Sequence, residues 1–473
     1  MAQGKLEFLS TSEIERIHGV SLRILEDVGI VVNSRSVAEM LIRSGSKRSK
    51  DTKRVLMPES IVKSAISSAP KTMVLASRDG KRDLRIPTEG PMFIANGGEG
   101  VYVKDLLTGV ERPSTTEDLT DFVSLVDRLP QIDFCWSMVG ALDQPNRKKN
   151  PVEVMKTLQH TTKHVQGGDT SAEEARWTLE MLKVLTGDLD EFAKHPFYSA
   201  VQCPISPLTF EEGLVEAQVE LSRAGVPVVA MVASVAGLTS PVTLAGTLAQ
   251  VNAEGLASLV ISQTAKKGSP WIYSSDSSPG DLRTGSISYH ALESTLLRTG
   301  AAQIGRYYGF PTMCGGASLE EESLALSNVA EGVPYMMTEV IVPTDLGSGL
   351  GGLGQAAGAS FEQLLADAWV WDVARDFART FSSDAAAISF ETIRDAALDR
   401  NFLGKRHTLT SFKRESAAVT KPDAAAIGAP SSGNRMDLLR KAQKEVKKML
   451  AEPRKPLTTD EQTAALQKII DRI

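Results

Sequence analysis

Cysteine and aromatic residues are both scarce in this sequence of 473 residues. Its three cysteines form no CxxC pair and no cluster with histidine: Cys135, Cys203 and Cys314. This spacing excludes a disulfide framework and a cysteine-rich structural zinc site. Because phenylalanine, tryptophan and tyrosine make up only 5% of the chain, an aromatic residue near a predicted strand end is more informative than usual.

Long apolar runs are missing too. The sequence has no run of 18 apolar residues, and Glu7, Glu13 and Arg16 interrupt the opening segment. We therefore expect neither a membrane-spanning segment nor a secretory signal, and the sequence predicts a cytoplasmic protein.

Several catalytic signatures are absent. The sequence contains no GxxxxGK(S/T) loop, no HExxH, no GxSxG and no DxHxxG. The usual kinase, zinc-protease and α/β-hydrolase classes are therefore disfavoured, as is a tightly held cobalamin with a histidine lower ligand. A lyase or aldolase that uses a Schiff base is also disfavoured, because no predicted strand ends in lysine.

Positive charge is in deficit over most of the chain. Residues 1–400 carry 37 Lys/Arg and 50 Asp/Glu, a net of −13, whereas residues 401–473 carry 15 and 8, a net of +7. An acidic body argues against nucleic acid as a partner. The basic tail residues follow a helical pattern that indicates either a solvated face or a docking surface for an acidic partner or sister subunit: Arg440, Lys441, Lys444, Lys447 and Lys448.

From about residue 91, short apolar runs alternate with long helical patterns. Their starts lie about 28 to 45 residues apart, which leaves room for a crossover helix each time. The predicted strands are Met92–Asn96, Phe134–Val139, His164–Gln166, Tyr198–Gln202, Val226–Val232, Trp271–Ser275, Phe310–Cys314 and Glu339–Val342. Eight such units predict an α/β fold, a (β/α)8 TIM barrel with helical N-terminal and C-terminal extensions.

The barrel prediction divides the chain into three parts. Residues 1–90 are predicted to form a helical extension, opened by the capping box Ser12-x-x-Glu15. Residues 91–400 are predicted to form the catalytic barrel, and residues 401–473 an arm with a basic helix. The barrel helices end in a repeated pattern of glycine, one residue and proline, which starts at Gly225, Gly268, Gly309 and Gly332.

Two motifs have competing interpretations. Gly347-x-Gly349-x-x-Gly352 fits a dinucleotide fingerprint, but it follows the last predicted strand, and a glycine loop over the barrel mouth is favoured. His160 and His164 have the spacing of two metal ligands on one helix. His164 opens a predicted strand, however, so the pair should straddle a helix–strand junction, and no metal site is predicted.

The active site of such a barrel lies at the carboxyl ends of its strands. There the sequence places small and polar residues, among them Asn96, Gln166 and Asp276. Asp276 is either a carboxylate that faces the substrate or one that orders its own loop. Nearby aromatic side chains could hold a quaternary ammonium ion by cation–π attraction, although each could equally be a core residue: Phe93, Trp136, Tyr273 and Phe361.

Several segments together resemble one family. They are Phe93-Ile94-Ala95-Asn96-Gly97-Gly98, Asp105-x-x-Thr108-Gly109-x-x-Arg112-Pro113, Ser240-Pro241-Val242-Thr243-Leu244, Gly300-Ala301-Ala302-Gln303-x-x-Arg306 and Ser360-Phe361-Glu362-Gln363-Leu364. These segments are similar to the trimethylamine methyltransferase (MttB) family, in order and over nearly the whole chain.

The resemblance implies a barrel that transfers a methyl group from an amine to cob(I)alamin carried by a separate, cognate corrinoid protein. The corrinoid is then a co-substrate and is not tightly bound. Where the family's trimethylamine enzymes are expected to have pyrrolysine, this chain has Cys314-Gly315-Gly316-Ala317-Ser318. That segment resembles the non-pyrrolysine branch, whose substrates are quaternary amines. Glycine betaine is the first expectation, and carnitine and proline betaine are the alternatives.

A quaternary nitrogen suits a site without a side-chain acid or nucleophile, because a neutral tertiary amine can leave without a proton. No catalytic side chain is therefore predicted. The expected substrate-binding residues are Phe93, Asn96, Trp136, Gln166, Tyr273, Asp276, His290 and Phe361, and the expected corrinoid-facing residues are Gly97, Gly98, Gly315 and Gly316. A non-catalytic quaternary-ammonium binder is the remaining alternative, and a homo-oligomer is expected.

Overall fold

The computed structural model describes residues 5–50, 54–316, 318, 336–378, 381–415 and 435–473. Eight parallel strands form its centre. In chain order they are β1 (Phe93–Asn96), β2 (Cys135–Trp136), β3 (Val165–Gly167), β4 (Tyr198–Gln202), β5 (Val228–Val232), β6 (Trp271–Ser275), β7 (Thr312–Cys314) and β8 (Leu346–Leu350).

The strands close into a barrel. Each strand from β2 to β7 pairs in parallel with the next strand in the chain, and β8 pairs with both β7 and β1. A parallel bridge between Ala95 of β1 and Phe134 beside β2 completes the ring. The predicted (β/α)8 fold is thus confirmed.

Seven described helices surround the strands. They are α1 (Thr116–Arg128), α2 (Asn146–His160), α3 (Ala172–Thr186), α4 (Glu212–Ala224), α5 (Leu244–Ala265), α6 (Leu292–Tyr307) and α7 (Phe361–Phe377). The predicted helix ends are confirmed at Gly225, Gly268 and Gly309. Each of these glycines has a positive φ, which glycine adopts without strain. The fourth, Gly332, lies outside the described residues.

Helix α5 is long and apolar enough to cross a membrane by length and composition. However, 83% of its most apolar window is buried inside the protein. It packs against α4, α6 and the N-terminal helices Thr11–Arg23 and Glu59–Ser68. An apolar surface on every side is typical of such a core helix.

Apolar side chains fill the interior of the barrel towards the amino-terminal ends of its strands. The inward-facing core residues are Ala95, Phe134, Val201, Val229, Met231, Ile272, Met313 and Leu346. A hairpin of strands Met73–Leu75 and Leu84–Ile86 contributes Leu75, Leu84 and Ile86 to the same cluster. This hairpin closes the amino-terminal end of the barrel, so any cavity among the strands must open at the carboxyl end.

The N-terminal segment contains three α-helices and a π-helical turn: Thr11–Arg23, Ile24–Val28, Arg35–Arg43 and Glu59–Ser68. Short strands accompany them at Val31–Val32, Lys47–Arg48 and Val55–Leu56. The capping box was predicted two residues too late, because it joins Ser10 to Glu13. The proposed boundary at residue 90 stays a prediction.

The eighth strand was also predicted in the wrong place. Residues 336–339 are helical, and β8 lies at Leu346–Leu350. Its Leu-Gly-Ser-Gly-Leu sequence has low strand propensity, but it fits a crowded position. A Cβ on Gly347 would lie 2.8 Å from Met92 Sδ, so glycine lets β8 approach β1. The Gly347-x-Gly349-x-x-Gly352 motif therefore belongs to a barrel strand and its end.

Two small sheets connect the loops at the carboxyl ends. One joins Tyr102–Lys104 and Glu111–Pro113, after β1, to Gly352–Leu353 and Gly358–Ser360, after β8. The other joins Val235–Ala236, after β5, to Ser278–Asp281 and Ser286–Ile287, after β6. The remaining short elements are strand Thr209–Phe210 and helix Leu189–Lys194. The two sheets hold the loops that surround the mouth.

The C-terminal segment returns to the barrel. After helices Ala385–Ile388, Phe390–Asp399 and Arg406–Glu415, helix Arg435–Leu450 packs on α7 with Ala442 and Val446 buried. The final helix Asp460–Arg472 packs on α2 and α3. The five basic side chains of the tail are exposed, which agrees with a solvated face. Docking by this face and the boundary at residue 400 stay predictions.

Lys163 stabilises the start of β3. Its ammonium is buried and donates hydrogen bonds to the carbonyl oxygens of Val126, Leu129 and Ile132 at 2.6, 2.7 and 2.6 Å. These carbonyls lie at and beyond the end of α1, where a helix leaves oxygen atoms without partners. Burial lowers the pKa of Lys163 to about 8.

We predict that Lys163→Met lowers the free energy of unfolding by about 3 kcal/mol, because three buried carbonyls lose their hydrogen bonds to the ammonium and Ile132 O loses its charged donor. Urea denaturation followed by circular dichroism measures the change. Lys267→Met, at an exposed lysine, is the control and should stay within about 0.5 kcal/mol of the parent. Equal stability of the two variants would contradict this role of Lys163.

Candidate active site

A cavity of about 250 Å³ opens at the carboxyl ends of the barrel strands. Its walls come from the ends of β1, β2 and β5 to β8. The lining residues are Gly97, Gly98, Glu99, Trp136, Met138, Met231, Asp276, Tyr289, His290, Gly315, Gly316, Ser318, Ser348, Gly349, Gly352, Ala356 and Gly358. Among these described residues the walls carry two carboxylates and no lysine or arginine.

Trp136 supplies the aromatic surface of the cavity. Its indole lies directly against Gly98, where a Cβ would come within 2.5 Å of the ring. Met138 and Met231 lie in the same wall. Only glycine at position 98 leaves room for the indole here, so the predicted glycine and the predicted tryptophan form one structural unit.

Asp276 follows β6 and faces the cavity, with 23% of its side chain exposed. Its Oδ1 lies 3.5 Å from Arg298 Nη2, and Arg298 Nη1 lies 3.4 Å from Glu339 Oε1. Arg298 and Glu339 are buried behind the wall. A Cβ on Gly315 would lie 2.5 Å from Asp276 Oδ1, so this glycine makes room for the carboxylate.

The surroundings shift the pKa of both carboxyl groups upward. Burial is the main cause for Asp276, and the Arg298 charge acts in the opposite direction. Burial raises the pKa of Glu339 to about 8, again against the pull of Arg298. The two carboxyl groups share one guanidinium, so the group gains from holding a proton.

Glu99 is a site residue that the sequence analysis missed. It has φ 61°, a left-handed conformation that is costly for a residue other than glycine and that clusters at functional sites. Its carboxylate reaches the end of β3, since a Cβ on Gly168 would lie 2.9 Å from Glu99 Oε1. The side chain is open to the cavity, but the surrounding protein desolvates it and raises its pKa. Its place directly after Gly97-Gly98 was the available signal.

His290 lies between β6 and α6 and reaches the cavity as predicted. Its Nε2 is 3.1 Å from the carbonyl oxygen of Ser318, which links this loop to the segment after β7. Arg283, in the segment that precedes His290, is exposed beside Asp281. Arg283 does not reach the cavity.

Two predicted aromatic side chains lie behind the wall instead of in it. Tyr273 is buried between β6 and α5, 3.4 Å from Asn252 Oδ1. Phe361 stacks on Phe122 of α1 with ring centroids 3.8 Å apart. Among the described aromatic residues, Trp136 and Tyr289 line the cavity, and of these two only Trp136 was predicted.

Three further predicted residues lie next to the cavity without lining it. Asn96 is buried, and its amide bonds to the backbone N–H and C=O of Trp136, at 3.1 and 2.6 Å. Phe93 belongs to the inner core. Gln166 is buried at the level of Trp136, to which it pairs across β2 and β3, and its amide has no hydrogen-bond partner among the described residues. None of the three lines the cavity.

The two histidines with metal-ligand spacing do not share a helix. His160 ends α2, and His164 directly precedes β3, as the junction interpretation predicted. The ring nitrogen atoms of His164 contact the Ala76 carbonyl oxygen at 3.2 Å and Ser199 Oγ at 2.9 Å. Burial lowers the pKa of both histidines to about 4.

A larger open groove of about 720 Å³ lies at the other end of the barrel, beside Arg78, Thr162 and Phe197. These residues lie at the hairpin of strands Met73–Leu75 and Leu84–Ile86 and at the amino-terminal ends of β3 and β4. Function in this fold concentrates at the carboxyl ends. The smaller cavity is therefore the candidate site, and the fold and its position are those of a (β/α)8-barrel enzyme.

Residues 2–473 match the family described as trimethylamine methyltransferase (MTTB). The chain belongs to this family, and it is a methyltransferase. It is 28% identical over 409 residues to trimethylamine methyltransferase MttB of Desulfitobacterium hafniense (strain DSM 10664 / DCB-2), covering 86% of this chain and 82% of the relative. It is 25% identical over 469 residues to glycine betaine methyltransferase of Desulfitobacterium hafniense (strain Y51), covering 98% and 97%.

A solved structure shares the fold. The Methanosarcina barkeri monomethylamine methyltransferase (MtmB) superposes with a TM-score of 0.54 at 12% identity. The match covers 94% of this chain and 89% of that chain. At this identity the likeness supports the barrel architecture and its extensions.

Proposed function

We propose that this methyltransferase moves a methyl group from a small quaternary amine to cob(I)alamin carried by a separate corrinoid protein, and releases a tertiary amine. Glycine betaine is the proposed substrate and dimethylglycine the proposed product. The observation that carries the proposal is the pairing of Asp276 and Trp136 in one small cavity of a family member that has Gly315-Gly316 after β7.

The cavity chemistry favours a cation. Carboxylates attract an ammonium group, and the face of an indole contributes roughly 0.5–2 kcal/mol by cation–π attraction. Asp276 and Glu99 both face the cavity, and Trp136 provides the indole. A volume of about 250 Å³ suits a molecule the size of a betaine.

The carboxylate of glycine betaine requires a hydrogen-bond donor as well. His290 is the proposed donor, because it is the imidazole in the described wall. Since its Nε2 already faces the Ser318 carbonyl oxygen, Nδ1 would donate from the imidazolium form. One relative of nearly equal length bears the name glycine betaine methyltransferase, which supports the same substrate. Proline betaine has the same one-carbon spacing between ammonium and carboxylate, carnitine has a longer one, and both remain the alternatives.

The corrinoid fits the mouth better than the cavity. A corrin macrocycle is far larger than about 250 Å³. Gly98 and Gly315 make room for Trp136 and Asp276, so Gly97 and Gly316 are the glycines proposed to face the corrinoid. When bound, the corrinoid supplies a strongly nucleophilic cobalt that accepts the methyl group.

The residues of this chain then act by positioning. Asp276 and Trp136 hold the ammonium so that one N–CH₃ bond points to the mouth. The departing tertiary amine is neutral, so no side chain has to donate a proton. Holding reactants in line is worth roughly 7–11 kcal/mol in favourable cases, so positioning is the main contribution required of the protein.

The test is the stoichiometry of the reaction. Purified protein, glycine betaine and cob(I)alamin should consume cob(I)alamin and form dimethylglycine in a one-to-one ratio, followed by absorbance and by mass spectrometry. Transfer to the cognate corrinoid protein should be faster than to free cob(I)alamin. Binding of quaternary amines without a demethylated product from any betaine would contradict the proposed substrate class.

A further inference from the structure

Among the described residues, the group behind the cavity wall holds two carboxyl groups and one guanidinium. Arg298 lies between Asp276 and Glu339, at 3.5 and 3.4 Å, and its side chain is fully buried. Two carboxylates against one guanidinium leave a net negative charge if both are ionised. Burying an uncompensated charge is costly, so a proton or a bound cation has to complete the set.

Two observations indicate which carboxyl group can hold the proton and which can contact the cation. Glu339 Oε2 is buried and has no hydrogen-bond partner among the described residues, so it can hold a proton. Asp276 is the member that opens to the cavity. One end of the group can thus hold a proton, and the other end can contact a ligand.

We propose that Asp276, Arg298 and Glu339 form a proton-linked counterion, which holds one proton while the cavity has no cation and releases it to solvent when a quaternary ammonium binds. This inference rests on the proposed cationic substrate. The balance is simple, since one positive charge enters at Asp276 and one proton leaves the group. Arg298 transmits the change, and it and Glu339 are positioning residues.

The pKa directions agree with this exchange. Burial raises the pKa of Glu339 to about 8, so the free protein holds the proton below that pH. A cation at Asp276 lowers the pKa of the carboxyl group that holds the proton, so the proton is released. Affinity for the cation should therefore rise with pH, by at most tenfold per unit, up to about pH 8, and then level off.

Other titratable groups near the triad can be separated from it. The thiols of Cys314 and Cys203 titrate much higher, because burial raises the pKa of each to about 12. The imidazole of His290 also faces the cavity. Glu99 also faces the cavity with a raised pKa, and it is the main competitor as a source of the proton.

The experiment is calorimetric titration of the full-length protein with tetramethylammonium chloride, without corrinoid, at pH 7.5 in two buffers of different ionisation enthalpy. The expected result is release of more than about half a proton per bound cation, falling towards zero at pH 9.5. Binding without proton release at pH 7.5 would overturn the proposal while leaving methyl transfer untouched. Failure of tetramethylammonium to bind would overturn both this proposal and the cation site.

Variants identify the source of the proton. Glu339→Gln should bind the cation with less than about a fifth of the parent's proton release and with little pH dependence from pH 7 to 8. Glu99→Gln should still release the proton. Asp281→Asn, at a surface carboxylate paired with Arg283, is the control and should match the parent. Loss of release in Glu99→Gln with retention in Glu339→Gln would assign the proton to Glu99 and refute the triad.

Discussion

Replacing Asp276 by asparagine should lower kcat/KM for the quaternary amine about 100-fold, roughly 3 kcal/mol, because the ammonium loses its counterion in a partly desolvated site. The effect should fall mainly on KM, since the carboxylate contacts substrate and transition state alike. The Asp276 charge is one of the causes that raise the pKa of Glu339, so in the variant Glu339 ionises more readily beside Arg298. The variant should therefore still fold.

Steady-state kinetics with cob(I)alamin in excess measures this effect. Asp281→Asn removes a partly exposed carboxylate, paired with Arg283, from the same loop and should leave kcat/KM within about twofold of the parent. Thermal unfolding of both variants separates a binding defect from a folding defect. A kcat/KM of Asp276→Asn within threefold of the parent would remove Asp276 from the site.

The second large effect concerns Gly98. A Cβ at this position would lie 2.5 Å from the Trp136 indole, so Gly98→Ala has to displace the ring. A shift of about 1 Å in a positioning group can cost roughly 100-fold in rate. We expect a loss of that size in kcat/KM, together with a changed emission maximum of tryptophan fluorescence.

Gly255→Ala is the matched control for this substitution. Its Cβ would lie 3.6 Å from Tyr273, an ordinary contact inside helix α5. Alanine in a helix interior is favoured over glycine by about 1 kcal/mol, so this variant should be active and slightly more stable. If Gly98→Ala were as active as Gly255→Ala, Trp136 would have no positioning role.

The sequence located the barrel because its signals are local. Seven strand positions and the helix stops at Gly225, Gly268 and Gly309 depend on short apolar runs and on positive-φ glycines. The eighth strand, Leu346–Leu350, was misplaced because its glycines reduce strand propensity. What favours a strand there is close packing with β1, which is a tertiary contact.

The cavity was predicted less completely, for a physical reason. Both faces of a barrel strand are buried, so the run Trp271–Ser275 cannot show which residues point inward. Ile272 faces the core of the barrel, which turns Tyr273 toward the helices. Arg298 follows Leu297 in an ordinary helix pattern, and nothing in that pattern predicts a fully buried guanidinium.

Substrate charge is the central claim, and one rate ratio tests it most directly. The measurement compares the initial rate of cob(I)alamin loss with glycine betaine, carnitine and choline against the rate with trimethylamine and dimethylglycine. This chain has Gly315-Gly316 where the family's trimethylamine enzymes are expected to have pyrrolysine. Without that residue, a tertiary amine as free base has to leave as an amide-like anion, and its protonated form transfers its proton to cob(I)alamin. A quaternary amine should therefore be turned over while both tertiary amines are inert. Turnover of trimethylamine or dimethylglycine at a rate equal to that of the best quaternary amine would contradict the proposed function.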